Sequence, residues 1–256
     1  MSLTDVVETV NSTEATLTVV NPESECPLYR LLSGLFDDEV VTVRETTSDA
    51  ETIPADTVFV ERDDGKAGGV SSQFDDLRDE LLLVNADIYV TGARGLDDVE
   101  TPDVITQLSE ILFTVRGRPE DAKEKFLLIE MSRHIEAMAW RAGDGRLATG
   151  CQQLSRLDDE HGTRQVYTRL GTETDVEAHV YGIPDARPSL PGVRIHGGHA
   201  AELRRTWFVV YESRSQPDNT AALVAVQTDP NTWEGCWTYD PATVTDILAY
   251  LDRAYR

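Results

Sequence analysis

Aromatic side chains and a pair of glutamines are the residues whose types and spacing best suit the binding of a small molecule. Trp233 and Trp237 are four positions apart in a predicted strand, so both face the same side of it. Ligand pockets are lined mainly by apolar and aromatic groups, with a few polar groups that orient the ligand. The predicted ligand-binding residues are Gln152, Gln153, Trp207, Tyr211, Trp233 and Trp237. A packed core with tryptophans at its rim is the alternative.

Histidine spacing supplies only part of a metal site. His196 and His199 have the i, i+3 spacing of metal ligands in the segment HGGH. A zinc site needs a third and a fourth ligand, and the sequence shows none that is evident. A solvated loop is therefore the expectation, and no metal site is predicted.

Nucleophilic and acid–base chemistry lack a recognisable signature. Ser132, Ser155 and Cys151 stand outside any GxSxG turn and have no paired histidine signature. His134 and Glu136 are expected on opposite faces of one helix, so an acid–base pair of these two residues is not expected. We therefore predict no catalytic residue and expect that the protein is not an enzyme.

The chain of 256 residues is strongly acidic, with a formal net charge of −23 from 46 acidic and 23 basic residues. Its lysines are Lys66, Lys123 and Lys125, and arginine supplies the other basic groups. Such self-repulsion destabilises a compact fold unless salt screens it, so we expect a halophilic source. Direct binding of nucleic acid is not expected, because phosphate neutralisation requires a basic stripe.

Nothing in the chain predicts membrane insertion or export. Apolar runs such as 81–84 are far shorter than the roughly 18–20 residues that span a bilayer. The acidic N-terminus lacks the pattern of a signal peptide. We expect a cytoplasmic protein without membrane contact, in which Cys26, Cys151 and Cys236 are buried free thiols.

The helix predicted at 126–142 is the most strongly patterned element. Its i, i+3, i+4 recurrence predicts a buried stripe of Ile135, Met138 and Ala139. Glu130 is expected on an opposite, charged and solvated face. The Gly-Asp-Gly turn at 143–145 is expected to end the helix, since glycine readily adopts the backbone conformation of a helix C-cap.

The two halves of the chain share an order of elements, which predicts two related αβ modules. The strands in this order are 17–20, 40–43, 58–60 and 67–71 in the first half, and 147–151, 176–181, 207–212, 221–227 and 233–238 in the second. The same strand order in both sheets would support this hypothesis. The predicted fold class is α/β (α+β), with mixed or antiparallel sheets covered by helices. The predicted domains are an N-terminal αβ module at 1–118 and a second domain at 119–256.

The second half carries six segments in an order and spacing similar to one known family. They are SRHIEAMAW (132–140), GRLATGCQQLSRL (145–157), VYGIPD (180–185), WFVVYE (207–212), AALVAVQ (221–227) and WEGCWTYDP (233–241). Together they resemble the DICT sensory domain of diguanylate cyclases and two-component signalling proteins. The first half resembles what accompanies this domain in haloarchaeal proteins. One departure is Cys151, where the resemblance leads us to expect an aromatic residue.

The resemblance implies a non-enzymatic sensory or regulatory protein in signal transduction. Such a protein would sense a small ligand or a light-related signal and act on a separate output protein. The expected partner is a histidine kinase, a cyclase or a transcription regulator, and a homodimer is possible. The resemblance leaves any cofactor unidentified. An enzyme acting on a small nucleotide or metabolite is the alternative, and a purely structural dimer is a third hypothesis.

Overall fold

The structure is a computed structural model of the chain. It describes residues 2–10, 14–22, 41–50, 53–63, 70–73, 95–116, 126–159 and 162–255. The predicted helices at 27–36 and 74–84, the short strand at 88–90 and Cys26 lie outside these described residues.

Eleven strands and seven α-helices are described. The strands are β1 (Ala15–Val20), β2 (Val41–Thr46), β3 (Thr57–Arg62), β4 (Val70–Gln73), β5 (Phe113–Arg116), β6 (Arg146–Gln153), β7 (Glu177–Ile183), β8 (Val193–Gly197), β9 (Thr206–Glu212), β10 (Thr220–Asp229) and β11 (Thr232–Thr238). The helices are α1 (Leu3–Thr9), α2 (Asp103–Thr106), α3 (Phe126–Ala142), α4 (Arg156–Asp159), α5 (Thr163–Glu173), α6 (Ala201–Arg205) and α7 (Pro241–Ala254). The described residues also include a 3-10 turn at Leu96–Asp98.

The strands form two mixed sheets, which confirms the predicted fold class. The small sheet has the order β2-β1-β3-β4, and the large sheet has the order β5-β11-β10-β9-β6-β7-β8. The pairs β1–β2, β6–β7 and β7–β8 are parallel, and the remaining neighbours are antiparallel. The strand order is therefore the same in β2-β1-β3-β4 and β7-β6-β9-β10, which supports the proposed repeat.

Helices cover both faces of the large sheet. Helices α3 and α5 share a hydrophobic core with one face and with the apolar side of the small sheet. Helices α1, α6 and α7 pack on the opposite face in a second core. None of the helices in the described ranges is long and apolar enough to cross a membrane.

Three short elements differ from the sequence prediction. The segment 91–122, rich in glycine, aspartate, proline and threonine, is predicted to be the junction between the two halves, but strand β5 lies in it and pairs with β11 at the edge of the large sheet. The proline- and glycine-rich segment 184–199 is predicted to be an irregular loop, but strand β8 lies in it and pairs in parallel with β7. Helix α6 was not predicted either. Elements of four or five residues are too short to show a period, and tertiary pairing decides their conformation.

The first helix also departs from the proposed repeat. Helix α1 packs its buried Leu3, Val6 and Val7 on the large sheet, not on the small sheet beside it in sequence. The sequence predicts Thr4 as the N-cap of this helix, but the N-cap is Ser2, whose hydroxyl accepts from the backbone N–H of Asp5 at 3.1 Å. The division at residues 118 and 119 stays a prediction, although β5 on its N-terminal side belongs to the large sheet.

Helix α3 follows its predicted pattern in part. Ile135 and Ala139 are fully buried, as expected, whereas Met138 is only partly buried. The expectation that Glu130 lies on a solvated face is wrong, since this side chain is buried and accepts from the Thr101 hydroxyl at 2.9 Å. The helix ends, as predicted, at a glycine with left-handed backbone, Gly143, with φ of 70°.

Candidate functional site

A partly enclosed cavity lies between α3 and the carboxyl end of β6. Its volume is about 50 Å³. Helix α3 and strands β6 and β9 supply most of its wall, and α4 and α5 each add one residue. The lining residues are Ile129, Ser132, Arg133, Glu136, Thr149, Gly150, Cys151, Arg156, Thr163, Trp207 and Val209.

One wall of the cavity carries a buried ion pair. Arg133 and Glu136 are one helical turn apart on α3, each is 3% exposed, and a guanidinium N–H donates to the carboxylate. The Tyr167 hydroxyl donates to the other carboxylate oxygen at 2.9 Å, and Arg133 also donates to the Thr163 hydroxyl at 3.2 Å. Burial, followed by the negative charge of Glu136, raises the pKa of Tyr167 well above its ordinary value, so this hydroxyl stays a donor.

The indole of Trp207 forms a second wall. Its N–H donates to the Ser132 hydroxyl at 3.0 Å, and that hydroxyl donates to the Leu128 carbonyl at 2.7 Å. Trp233 packs edge-on against Trp207, with ring centroids 6.4 Å apart. The Trp207 ring is therefore held by a hydrogen bond at its edge and by an aromatic neighbour, so its orientation in the cavity is fixed.

Gln152 stands at an irregularity in β6, beside the cavity. The β6–β7 register shifts between Gly150 and Gln153, and Gln152 has a left-handed backbone with φ of 61°. Its side-chain oxygen accepts from Arg156, and its amide nitrogen donates to the Arg204 carbonyl at 2.8 Å. β-Bulges and left-handed non-glycine residues are concentrated at functional sites, where they re-aim side chains. Gln152 joins a cavity-lining arginine to α6.

The structure brings together some of the predicted site residues and separates others. Trp207 lines the cavity, Gln152 holds Arg156 at its wall, and Trp233 supports Trp207 from behind. Gln153 is exposed, outside the lining. Ligand binding by Gln152, Gln153, Trp207 and Trp233 stays a prediction.

Tyr211 and Trp237 lie apart from the cavity lining. The Tyr211 hydroxyl donates to the Asp144 carbonyl at 3.1 Å, beside the start of β6. Trp237 is buried in the core, where its ring lies 5.5 Å from that of Phe113. The alternation of side chains along β9 and β11 places these residues on the predicted face, but it does not say how far along the strand a cavity extends. Ligand binding by these two residues also stays a prediction.

Sequence reasoning missed the charged residues of the site. Arg133, Glu136 and Arg156 line the cavity, and Tyr167 supports it. A signal for the first pair was present, because Arg133 and Glu136 stand one turn apart inside a helix with a strong apolar pattern. Charged residues that are embedded in such a helix are either exposed or paired, and the pairing was visible as i, i+3 spacing.

The histidines form a cluster that the sequence did not predict. His196 lies on β8, where its ring stacks on Tyr181 at 4.5 Å and its Nε2 lies 2.9 Å from Nδ1 of His179. Burial and the nearby Arg146 lower the pKa of His179 to about 4. His199 is exposed and lies outside this stack. Among the described residues, no three histidine, cysteine or acidic side chains are grouped so that they could hold a metal ion.

The remaining candidates are separate from the cavity or only border it. Burial lowers the pKa of His134 to about 4; it contacts Tyr239 on the side of α3 away from the Glu136–Tyr167 pair, as predicted. Cys236 is buried, and burial raises the pKa of its thiol to about 12. Cys151 is only partly buried and borders the cavity. Both cysteines are free thiols, as expected.

A wider, open groove lies at the other end of α3. Its volume is about 620 Å³, and it is bordered by Trp140, Arg141, Asp97 and the residues 172–175. The Trp140 indole donates to Asp97 at 2.6 Å, and the guanidinium of Arg169 lies 4.3 Å from the ring centroid. This groove contains none of the predicted ligand-binding residues.

Comparison with known proteins identifies the part of the chain that contains the cavity. None of the curated protein sequences compared with the chain is similar to it. A crystal structure of polyphosphate kinase from Porphyromonas gingivalis is matched with a TM-score of 0.34 and 12% identity, over 98% of this chain and 48% of that chain. The chain thus spans about half the length of that protein, and so distant a likeness carries no argument about function.

The match that carries information is to a family model described as a sensory domain in diguanylate cyclases and two-component systems, DICT, over residues 103–228. It starts earlier than the resemblance in the sequence suggested, so that α2 and β5 are included, and it ends before β11. The matched region contains α3, β6 and β9 and every residue that lines the cavity. Residues 103–228 of this chain therefore belong to the DICT family of sensory domains.

Proposed function

We propose that this protein is a non-enzymatic sensor in signal transduction, which binds a small ligand in the cavity beneath α3 and acts on a separate output protein. The observation that carries the proposal is the position of the cavity. It lies wholly inside the region matched by a sensory family, and its wall holds the buried Arg133–Glu136 pair. Buried charges at a cavity are costly for stability, and they are typical of binding sites.

The surroundings of the cavity suit a change of state on binding. Gln152 connects Arg156 at the cavity to the Arg204 carbonyl in α6, which packs on the opposite face of the sheet. A ligand that moves Arg156 would change this connection. A ligand shifts a conformational equilibrium only by its different affinity for the two states, and this connection is where such a difference would arise.

Ligand binding can be tested with two substitutions at one position. Native mass spectrometry and the absorption spectrum of the purified protein would first show whether a ligand or chromophore co-purifies. A metabolite library would then be screened for a rise in the melting temperature. Cys151→Met should fill the cavity and abolish the stabilisation, whereas Cys151→Ser, which conserves the volume, should retain it. Equal stabilisation of both variants would place the ligand elsewhere and contradict the proposal.

The output partner is proposed to be a histidine kinase, a cyclase or a transcription regulator. Capture from a lysate at high salt, with and without the ligand, would identify it by mass spectrometry. The proposal expects a partner of one of these three kinds whose capture depends on the ligand and is altered in Cys151→Met. A wild-type protein that captures none of them in either condition contradicts a signalling role.

An enzymatic function was the alternative, and it required a cleft with a histidine or carboxylate of shifted pKa. The described histidines with lowered pKa values, His134, His179 and His196, do not line the cavity. The geometry of the described residues thus offers no support for acid–base catalysis by histidine in this cavity. We propose sensing without catalysis.

The acidic composition leads us to propose a halophilic environment. Screening of a net charge of −23 requires high ionic strength, because the Debye length falls from about 10 Å at 0.1 M salt to about 3 Å at 1 M. We expect the melting temperature to rise steeply between 0.1 M and 2 M KCl. Circular dichroism measures this, and KCl is preferred to sulfate, which itself strengthens apolar burial. A melting temperature that does not rise would contradict the proposal.

A further inference from the structure

We infer that the paired histidines of β7 and β8 form a pH-sensitive switch, which releases β8 from the edge of the large sheet when it takes up protons. The switch goes beyond the proposed sensing of a ligand, because it lies outside the cavity beneath α3. The rings of His179 and His196 are parallel, with centroids 5.1 Å apart, and His196 also stacks on Tyr181. Nδ1 of His179 lies 2.9 Å from Nε2 of His196.

The hydrogen-bond network fixes the positions of the protons in this pair. Nη1 of Arg194 lies 3.3 Å from Nε2 of His179. A guanidinium group only donates, so Nε2 of His179 accepts, and the proton of the neutral ring is on Nδ1. This Nδ1–H donates to Nε2 of His196, which therefore accepts. The two contacts are satisfied when both rings are neutral.

A further proton has no favourable place in the closed arrangement. On Nε2 of His179 it would point at the N–H of Arg194, and on Nε2 of His196 it would point at the N–H of His179. Either proton replaces a hydrogen bond by a contact between two donors. Burial, followed by the charge of Arg146, lowers the pKa of His179 to about 4 and also lowers the pKa of His196. Solvated imidazoles bind a proton near pH 6.5, so proton uptake favours the open state.

The neighbouring carboxylates do not offset this conflict, because arginines already hold them. The charged and titratable groups around the histidine pair come from β6, β7, β8, α7 and the turn after β9, and they are Arg146, Glu177, Tyr181, Arg194, Arg214 and Asp252. Glu177 is paired with Arg194 at 3.2 Å and with Arg214 at 2.6 Å. Asp252 is paired with Arg146 at 2.7 Å.

Strand β8 is the element that this conflict can release. It is the last strand of the large sheet in the described part of the chain, and all five of its residues are partly or fully exposed. Local opening of such an edge costs less free energy than global unfolding. Residues 198–200 connect β8 to α6, whose Arg204 carbonyl accepts from Gln152, so the release of β8 would free one end of that helix.

Hydrogen exchange of single amides tests the switch, measured by NMR on the full chain at one KCl concentration. The Gly198 N–H, which donates to the Gly182 carbonyl at 3.0 Å, and the amides of β8 report on the edge of the sheet. The amides of β10, inside the same sheet, report on global unfolding. Protection factors are taken relative to an unstructured chain at each pH, which removes the effect of pH on the exchange chemistry itself.

At pH 7.5 we expect Gly198 and the β8 amides to be protected at least about tenfold less than β10, because β8 opens on its own. Between pH 7.5 and pH 5.0 their protection should fall about tenfold or more, because the open state takes up at least one proton. His179→Gln combined with His196→Gln should reduce this fall to less than about twofold. His196→Gln alone, which keeps an acceptor for His179, should give an intermediate fall. His199→Gln, at an exposed histidine outside the stack, should behave as the wild type.

Four results would overturn the switch. They are β8 protection that stays the same between pH 7.5 and pH 5.0, an equal fall in the double variant, β8 amides without measurable protection at pH 7.5, and equal protection of β8 and β10, which would assign any acid effect to global unfolding. If the double variant does not protect its β10 amides, it is not folded, and His196→Gln decides instead. A fall in that variant equal to the fall in the wild type contradicts the switch.

Discussion

The small sheet and the centre of the large sheet are built on one plan and differ in what they support. The first residue of β1, Ala15, pairs with the first residue of β2 and the last residue of β3. Arg146, the first residue of β6, pairs with the first residue of β7 and the last residue of β9. The two sheets thus agree in register as well as in strand order and direction.

The agreement extends to a backbone conformation that few residues adopt. Six positions beyond these first residues, β1 gives way to Asn21 with φ of 52°, and β6 contains Gln152 with φ of 61°. Left-handed backbone is uncommon outside glycine, and asparagine is one of the residues that tolerates it best. Its recurrence at corresponding positions supports a duplication of the strand region.

The side chains at these two positions have different tasks. The Asn21 side chain accepts from the backbone N–H of Ser48 at 2.8 Å and so joins the end of β1 to the segment that follows β2. Gln152 instead joins Arg156 at the cavity to the Arg204 carbonyl. The same backbone conformation therefore carries a side chain that contacts the backbone after β2 in the small sheet, and one that contacts a cavity-lining arginine in the large sheet.

The largest effect on stability is expected from the ion pair that is buried beneath the large sheet's helix α3. Glu136→Gln keeps the shape of the side chain but leaves the Arg133 guanidinium without its counter-charge in a site that is 3% exposed. We expect a loss of about 3–5 kcal/mol in the free energy of unfolding, measured by urea denaturation at high KCl. Arg133→Met combined with Glu136→Leu should recover most of it. A loss below about 1 kcal/mol for Glu136→Gln would show that the pair is not buried as described.

A smaller effect should distinguish the turns that lead into the two central strands. Gly145, which precedes β6, has φ of 91°, and a Cβ there would lie 2.3 Å from the Glu212 carbonyl oxygen. The corresponding residue before β1 is the exposed Glu14. Gly145→Ala should therefore cost about 2–3 kcal/mol in the free energy of unfolding, and Glu14→Ala less than about 0.5 kcal/mol. Similar losses for Gly145→Ala and Glu14→Ala in urea denaturation would contradict the expectation that the two turns differ.

The stability of the fold should depend on pH through His179, which lies on β7 near the edge of the large sheet. The unfolded chain binds a proton at His179 with a pKa near 6.5, whereas burial and Arg146 lower the pKa to about 4 in the folded protein. The unfolded state therefore binds more protons between these two values, so stability is full above pH 6.5 and falls as the pH drops toward 4. The loss should be on the order of 1–2 kcal/mol after allowance for solvent screening.

The test of this pH dependence is His179→Val, which introduces the residue found at the corresponding position of the small sheet, Val43. Unfolding of the variant and the wild type would be followed between pH 7 and pH 4.5. Arg194, His196 and Glu177 also face His179 and stay in place in the variant. The variant should lose less stability on acidification than the wild type. An identical pH profile would assign the acid sensitivity to other groups.

The smallest effect tests the recurrence of the left-handed backbone directly. Alanine and glycine variants both lack the native side chain. The difference between their free energies of unfolding therefore measures the cost of a left-handed backbone to a residue with a Cβ atom. We expect the Gln152→Gly variant to be more stable than Gln152→Ala by about 1 kcal/mol, and the corresponding Asn21 variants to differ by a similar amount. At Thr16, inside β1, the order should be reversed, because glycine weakens a regular strand. Opposite signs at Gln152 and Asn21 would argue against equivalent positions.

Much of this fold follows from patterns that the sequence displays locally. Strands β9 and β10 contain apolar runs of five and six residues, and α7 begins at Pro241 after the N-cap Asp240, as its capping signal predicts. The short strands β5 and β8 could not be predicted, because pairing with a neighbour defines them. The sequence also does not predict which sheet α1 packs on, because an amphipathic pattern shows that one face is buried but not what covers it.

The site was harder to predict than the fold for a related reason. Glu130 and Glu136 look like surface residues of an amphipathic helix, and only the contacts with Thr101 and Tyr167 show that other elements cover this face. Trp207 and Gln152 were predicted as ligand-binding residues because of their types. The strands fix the direction of such side chains, whereas the position of a cavity along them depends on the helices packed above.

The bulge at Gln152 has a consequence for how a sheet protein can be regulated. Helices on opposite faces of a sheet do not normally contact each other, but the Gln152 side chain connects Arg156 at the cavity on one face to α6 on the other. Thermodynamic linkage makes such a connection reciprocal. If a partner docked against α6 and favoured one arrangement of Gln152, it would change the affinity of the cavity for its ligand by the same factor by which the ligand changes the affinity for the partner.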